Sequence, residues 1–259
     1  MLPSRFADAL PPIALAELEA AAALQERVDT KYVVPRGALA GLAARLGDTH
    51  SVLEIDGRRE FRYRTTYFDT DELRAFRDHL QQRRRRFKCR SREYVDSGLC
   101  TFEVKFKGLR GRTIKFRMPY DQALRDELSE PALAFLRDCL ERSYGLPPDG
   151  VLRPALAVAY TRVTLVGPGE RVTCDFDLAF SAPDGNSGRL APGMAIVETK
   201  SERGSAAADR ALRALGARPE GGCSKYCLGI GWTRPDVKSN PLRPLLRRHF
   251  QMAPAFAAG

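Results

Sequence analysis

The sequence predicts an α+β protein, mainly β: a closed antiparallel β-tunnel of about eight strands with peripheral helices. Three observations predict it. Nine segments alternate apolar and polar side chains at period two. Short Gly-containing stretches of hairpin type join several of them. Helical signals are few and fall between groups of strands rather than alternating with each, which favours a closed antiparallel sheet over a parallel one.

The chain opens with an Ala- and Glu-containing stretch, Ile13 to Gln25, that reads as a helix. Strand-like alternation follows over 26–34. Pro35, placed for a helix N1 position, and Gly47, just past the end, bracket a helix over Arg36 to Leu46. Segments 51–56 and 59–68 are joined at Gly57-Arg58. Asp69-Thr70-Asp71-Glu72 then supplies a cap and an acidic first turn for a helix running to about Gln82. Three more strands, 84–95, 99–107 and 112–119, turn at Ser97-Gly98 and at Gly108 to Gly111. Asp121 to Ser143 carries spaced leucines and aromatics broken near Pro131, and reads as helix. Strands 155–166 and 170–180 turn at Gly167-Pro168-Gly169, and 193–201 is the last. Ser205 is placed to cap a helix over Ala206 to Leu215, which Gly216 stops. One domain is expected over 1–234. The Pro-containing, basic stretch 235–259, with Arg243, Arg247 and Arg248 near Leu245, Leu246 and Phe250, reads as a solvated tail.

Alternation also says where the charge goes, because residues i, i+2 and i+4 of a strand share a face. Arg84, Arg86, Lys88, Arg90 and Arg92 fall on one face, with Phe87 and Cys89 on the other. Thr101, Glu103, Lys105 and Lys107 oppose Phe102, Val104 and Phe106; Thr113, Lys115 and Arg117 oppose Ile114, Phe116 and Met118. Tyr160 aligns with Arg162. Arg171, Thr173, Asp175 and Asp177 oppose Val172, Cys174, Phe176 and Leu178. Glu198 aligns with Lys200, and Arg27, Asp29 and Lys31 share a face. A single strand of this kind is ordinarily a core face backed by a solvated one. Several mostly cationic faces together are costly: two like charges ~4 Å apart repel by about 1 kcal/mol in water and about 4 kcal/mol at an effective dielectric near 20. An anion with closely spaced charges relieves that cost, and Arg and Lys are its natural donors. The acids on these faces, Asp29, Glu103, Asp175, Asp177 and Glu198, are hard oxygen donors suited to Mg²⁺ or Mn²⁺ rather than zinc.

Composition agrees. In 259 residues, 42 Lys and Arg face 32 Asp and Glu, a net charge of +10, which favours anionic partners. The length buries a sizeable core, so neither disulfide nor metal is needed for stability. No apolar run is long enough to span a bilayer, and the first ten residues lack the order of a signal peptide, so a cytoplasmic location is expected. The six cysteines include no Cys-x-x-Cys pair and read as reduced thiols, Cys223 and Cys227 included. His50, His79 and His249 are not spaced as ligands. Neither a Walker loop nor a Rossmann glycine fingerprint is present. Aromatics are scarce between the cationic positions, against single-strand nucleic-acid stacking.

Read in order, a series of short motifs resembles the VTC domain, the polyphosphate polymerase domain of the triphosphate tunnel metalloenzyme (CYTH-like) superfamily. They are Arg27-Val-Asp-Thr-Lys-Tyr32, Tyr67-Phe-Asp-Thr70, Arg86-Phe-Lys-Cys-Arg-Ser-Arg-Glu-Tyr94, Phe102-Glu-Val-Lys105 and Thr113-Ile-Lys-Phe-Arg117. Arg153-Pro, Tyr160-Thr-Arg162, Arg171-Val-Thr-Cys-Asp175, Val197-Glu-Thr-Lys200 and Ser224-Lys-Tyr226 complete the series. Where many superfamily members open with Glu-x-Glu-x-Lys, this chain has Arg27-x-Asp29-x-Lys31, as VTC-type members tend to.

The resemblance implies a tunnel that binds triphosphate or polyphosphate inside, and metal-dependent transfer of the γ-phosphoryl of ATP onto a polyphosphate chain. It implies Lys31, Arg90, Arg92, Lys105, Arg162 and Lys225 as the catalytic cations, with Lys115 and Arg171 on phosphate, Tyr160 and Ser224 as supporting donors, and Glu198 as a ligand of Mn²⁺ or Mg²⁺. The charged faces add Arg27, Lys88, Arg117 and Lys200 as phosphate-binding candidates, and Asp175, Asp177, Glu103 and Asp29 as metal candidates. ATP and polyphosphate are the expected partners, with nucleic acid disfavoured. A membrane-protein partner at the inner face of the membrane is the alternative setting. The rival activities are hydrolysis of tripolyphosphate or a nucleoside triphosphate, and non-catalytic polyphosphate sensing.

Overall fold

The computed structural model describes residues 5–21, 28–107, 113–145, 148–202 and 204–254. Among them the elements run β1 (Pro12–Ile13), α1 (Leu15–Ala21), β2 (Val28–Pro35), α2 (Ala38–Leu46), β3 (Ser51–Leu53), β4 (Phe61–Asp69), α3 (Arg74–Leu80), β5 (Phe87–Tyr94), β6 (Leu99–Lys107) and β7 (Thr113–Pro119). They continue with α4 (Glu130–Tyr144), β8 (Arg153–Gly167), β9 (Glu170–Ser181), β10 (Ser187–Leu190), β11 (Met194–Ser201), α5 (Ala207–Ala214), α6 (Lys225–Thr233), α7 (Arg243–His249) and β12 (Phe250–Met252). The protein is mainly β and α+β; β10–β9, β11–β2, β11–β9, β3–β8, β4–β5, β5–β6 and β6–β7 pair antiparallel and the short β1–β3 pair is parallel. The hydrogen-bonded ladder ends at β7 and β12, so among the described residues it is not closed by backbone hydrogen bonds.

The chain forms two compact units. The first comprises residues 1–62, 160–178 and 190–223. Here β11 lies between β2 and β9, antiparallel to both. One face of these strands carries Tyr32, Val34, Val172, Cys174, Phe176, Ala195 and Val197, which pack with Leu39, Leu42 and Leu46 of α2 and Ala208 and Leu212 of α5. Burying such side chains stabilises the fold by about 1.5–3 kcal/mol each relative to exposure. Tyr32 and Thr199 both donate hydrogen bonds to the buried Asp209 of α5, at 2.7 and 2.8 Å, pinning that helix to the sheet.

The second unit comprises 63–159, 179–189 and 224–259. It holds the antiparallel run β4–β5–β6–β7. Phe68, Cys89, Phe102, Val104 and Phe106 face Ala132, Leu136, Cys139 and Leu140 of α4. Ser129 caps that helix by accepting from the amide of Ala132, and Gly145, at φ 69°, ends it in the left-handed conformation. The carboxylate of Asp69 accepts from the amides of Thr70, Ala75 and Phe76, but α3 starts later than its motif predicts, with Leu73 at the N-cap position and Asp71 and Glu72 ahead of the first turn.

Three expectations are corrected. Pro35 ends β2 rather than opening a helix, and α2 begins only at Ala38. Arg84 to Arg86 precede β5, which starts at Phe87; Arg84 is exposed. The stretch read as a solvated tail is folded as far as 254: Leu242, Leu245, Leu246 and Phe250 are buried, and Phe250 stacks on Phe180 at 5.6 Å. The Gly108 to Gly111 turn lies outside the described residues. All six cysteines are buried thiols outside any disulfide, and among the described residues no helix is long and apolar enough to cross a membrane.

Candidate functional site

Cross-strand register turns the charged faces into rows. In the second unit Tyr67, Arg90, Glu103 and Arg117 stand directly opposite one another across β4, β5, β6 and β7. The neighbouring rows are Thr65–Arg92–Thr101 and Lys88–Lys105–Lys115. Glu103 is the hub. Its carboxylate takes the Arg90 Nε–H at 2.8 Å and Nη2 at 2.6 Å, Lys115 Nζ at 2.5 Å and Arg92 Nη1 at 3.8 Å, with the side chain only 2% exposed. Burial pushes the Glu103 carboxyl up, but Arg92, Arg90 and Lys115 outweigh it and hold the acid well below its ordinary value. Burial lowers Lys115 to about 8, against the pull of Glu103 and together with the push of Arg92 and Arg90. Arg90 Nη1 also donates to the Tyr67 hydroxyl at 2.8 Å, and Lys88 Nζ donates to Ser224 Oγ at 2.8 Å.

The first unit repeats the arrangement with different chemistry. Lys31, Glu198 and Thr173 form one row across β2, β11 and β9, and Asp29, Lys200 and Arg171 the next. Glu198 receives Lys31 at 3.2 Å and Lys200 at the other oxygen. On β8, Arg162 clamps Asp175 with Nε–Oδ1 at 2.6 Å and Nη2–Oδ2 at 2.8 Å, and its guanidinium lies 5.2 Å from the centre of the Tyr160 ring. Burial lowers Lys200 to about 8 in spite of Glu198 and Asp29. Lys31 goes the other way: burial depresses it, but Glu198, Cys223 and Asp29 prevail and its pKa is raised.

Apart from Asp177 on β9, the charged faces group as the alternation predicts, within each unit. These faces are not ordinary solvated ones. Asp175 is fully buried, and Glu103, Thr173, Tyr160 and Lys200 are buried too. Lys105 and Arg117 remain exposed. Lys225 opens α6, with Ser224 at its N-cap position. Arg27 lies outside the described residues. Asp177 departs from the reading: its backbone is left-handed (φ 53°), which breaks the alternation, and its exposed side chain turns to Arg36 at 3.8 Å instead of joining Asp175.

Within each unit the predicted metal ligands are engaged by cations. Asp175, Glu198 and Glu103 each sit against Arg or Lys, Asp29 stands across from Lys200, and among the described residues no group of three His, Cys, Asp or Glu is placed to hold a metal. A carboxylate already paired with one to three cations is a poor resident-metal site, so these residues do not fit a protein-built metal cage. Sequence reasoning gives Tyr67 no role of its own. It lies on the Tyr63, Thr65, Tyr67 face of β4, and extending the alternation one strand beyond the charged ones is the signal that finds it. Tyr226 enters the sequence reading only as the last residue of a motif. Its ring packs at a tilt against Tyr67, centroids 4.9 Å apart, and its hydroxyl donates to Asp69.

One sheet face thus gathers cations around a single carboxylate, Glu103, and the other pairs its cations with Glu198, Asp175 and Asp29. The family is settled by comparison: the VTC domain matches over residues 26–233. The chain belongs to the VTC domain family. A search of curated proteins returned no match. Solved structures with a similar chain path include a proposed adenylyl cyclase from Hippeastrum with a dominant triphosphatase activity (17% identity over 79% of this chain and 95% of that one, TM-score 0.47). Proposed adenylate cyclases from Bacillus halodurans (14%, 78% and 95%, TM-score 0.46) and Vibrio parahaemolyticus (15%, 79% and 98%, TM-score 0.45) are others.

Proposed function

We propose that this protein is a polyphosphate polymerase that transfers the γ-phosphoryl of ATP onto a polyphosphate chain. The observation that carries the reading is the excess of cations over carboxylates on adjoining strand rows. In the second unit Arg90, Arg92, Lys88, Lys105, Lys115 and Arg117 share adjoining rows with one carboxylate, Glu103. Family membership directs that excess towards phosphate chains.

In the proposed step a terminal oxygen of the chain attacks the γ-phosphorus of ATP. A new P–O–P bond forms, the bond to the β-phosphate oxygen breaks, and ADP leaves with that electron pair. In the second unit Arg90, Arg92 and Lys225, and in the first unit Lys31 and Arg162, supply positive charge that neutralises phosphate, and charge neutralisation is a large part of what phosphoryl transfer asks of a protein. Transfer to a chain rather than to water is favoured by the state of the carboxylates. Glu103, Glu198 and Asp175 are each tied to cations, which leaves them poor bases for activating water. A chain-terminal phosphate is already an anion and needs no base. Mn²⁺ or Mg²⁺ belongs here with the substrate, as the metal complex of the triphosphate, in keeping with how Mg²⁺ is commonly held through phosphate oxygens.

Incubation with ATP and Mn²⁺ should give long chains on a gel, with one ADP formed per phosphate incorporated. Glu198→Gln should abolish growth, because it removes the carboxylate that holds both Lys31 and Lys200 in place. Phosphate release without chains would replace this reading with hydrolysis; tight binding without turnover would replace it with sensing.

A further inference from the structure

The second unit contains a feature that the phosphate-binding faces do not use. A half-open cavity of about 350 Å³ lies among the end of α6, the start of α7, β10 and β12. Its wall includes Trp232, Arg243, Arg247, Ser239 and Asn186. Arg243 and Arg247 are one turn apart on α7, so their side chains leave the same face of the helix. Neither guanidinium has a hydrogen bond or ion-pair partner among the described residues, and no acid lines the cavity. The acid of the adjoining loop, Asp236, is paired with Arg234 at 3.3 Å. The indole is held from behind, its Nε1–H donating to the carbonyl of Ser187 at 3.2 Å. It also packs on Gly188, where a side chain would collide with it.

We propose that this cavity is a second, separate binding site for a compact phosphate-bearing anion. Two guanidinium groups on one helix face supply the positive charge a diphosphate calls for, and Arg is the side chain best suited to bind phosphate oxygens in pairs. The volume falls within the range of small-molecule sites. Ser239 and Asn186 add neutral hydrogen-bonding capacity, and the fixed indole offers a flat apolar wall. The ligand is either inorganic pyrophosphate or a nucleoside diphosphate whose base meets the indole. The two share the phosphate chemistry that the arginines recognise.

Trp232 is the sole tryptophan of the chain, so its fluorescence reports this cavity directly. Full-length protein is titrated with pyrophosphate and, separately, with ADP, without divalent metal. A saturable change is expected with both, weakened about tenfold or more in Arg243→Ala and in Arg247→Ala through the loss of a charged hydrogen bond. It should be retained in Arg248→Ala, whose exposed side chain is not part of the wall. Tighter binding of ADP assigns the site to a nucleotide, and equal binding assigns it to the diphosphate group alone. The response should also survive Arg90→Ala, which separates this site from the sheet faces whatever activity those faces have. No saturable change with either probe, a response indifferent to Arg243→Ala and Arg247→Ala, or one lost in Arg90→Ala would overturn the proposal. Unchanged emission of the unliganded variants confirms that they are folded.

Discussion

The two charged faces are built on the same plan but to different balance. In the second unit a single acid, Glu103, draws in Arg90, Arg92 and Lys115, and Lys88, Lys105 and Arg117 stand in the same or adjoining rows. In the first unit Lys31, Lys200, Arg162 and Arg171 are matched by Glu198, Asp175 and Asp29. One face is strongly cationic around a hub, and the other is nearly neutral. The first kind suits gripping an extended anion. The second suits a site where lysine charge must be held and tuned, as the opposite displacements of Lys31 and Lys200 show.

The comparison is most easily broken at its hub. Replacing Glu103 by Gln leaves three cations facing one another with no carboxylate, and breaking a buried pair of this kind costs roughly 3–5 kcal/mol. A urea unfolding free energy lower by that amount is expected, and an unchanged value would show that the cations do not need the acid. The same acid sets a pH dependence. Its folded pKa is depressed, so the stability it contributes is fully present above the ordinary Glu value and disappears as pH falls towards the folded one. Glu103→Gln should therefore remove most of the difference in stability between neutral and strongly acidic solution.

Binding should divide the faces next. Arg90→Ala or Arg92→Ala removes charged contacts worth about 1.5–3 kcal/mol each, so tripolyphosphate affinity should fall by about ten- to a hundredfold. Arg162→Ala should instead lower turnover more than affinity, because it strips Asp175 of its clamp within the balanced face. Equal effects on KM and kcat from both faces would erase the distinction. A smaller, graded effect comes from pH. Lys115 and Lys200 carry full charge only below about 8, so phosphate affinity should decline between pH 7 and 9.5, more steeply than it does for the arginine contacts alone. Those two groups also bind fewer protons folded than unfolded between about 8 and their ordinary value, so through them stability rises, not falls, over that interval. The smallest effect is expected at Lys105, whose exposure leaves its contribution within about 0.5 kcal/mol.

Much of this is legible in the sequence because period-two alternation is unambiguous where long strands are half buried. Counting by two along a single strand already separates Lys88, Arg90 and Arg92 from Cys89, Ser91 and Glu93. What the pattern does not carry has local causes. Counting places Asp177 on the Asp175 face, and a single left-handed residue invalidates the count. Helix α6 leaves no periodic signal because Tyr226, Cys227, Leu228, Gly229 and Ile230 are all buried, with no polar stripe to give a period. Helix α7 reads as tail because its arginines dominate the short segment while Leu245 and Leu246, the informative residues, are only two. The shared hold of Arg90, Arg92 and Lys115 on Glu103 depends on register between strands, and no spacing within one strand encodes it.

The central claim is that cations on these sheet faces bind a phosphate chain. Calorimetric titration of long-chain polyphosphate into the intact protein, the Arg90→Ala/Arg92→Ala variant and the Lys31→Ala/Arg162→Ala variant tests it most directly. Tight binding by the intact protein and marked weakening in both variants is the predicted result, with the greater loss of affinity in Arg90→Ala/Arg92→Ala. Undiminished affinity in both variants, with their folds intact, would contradict it.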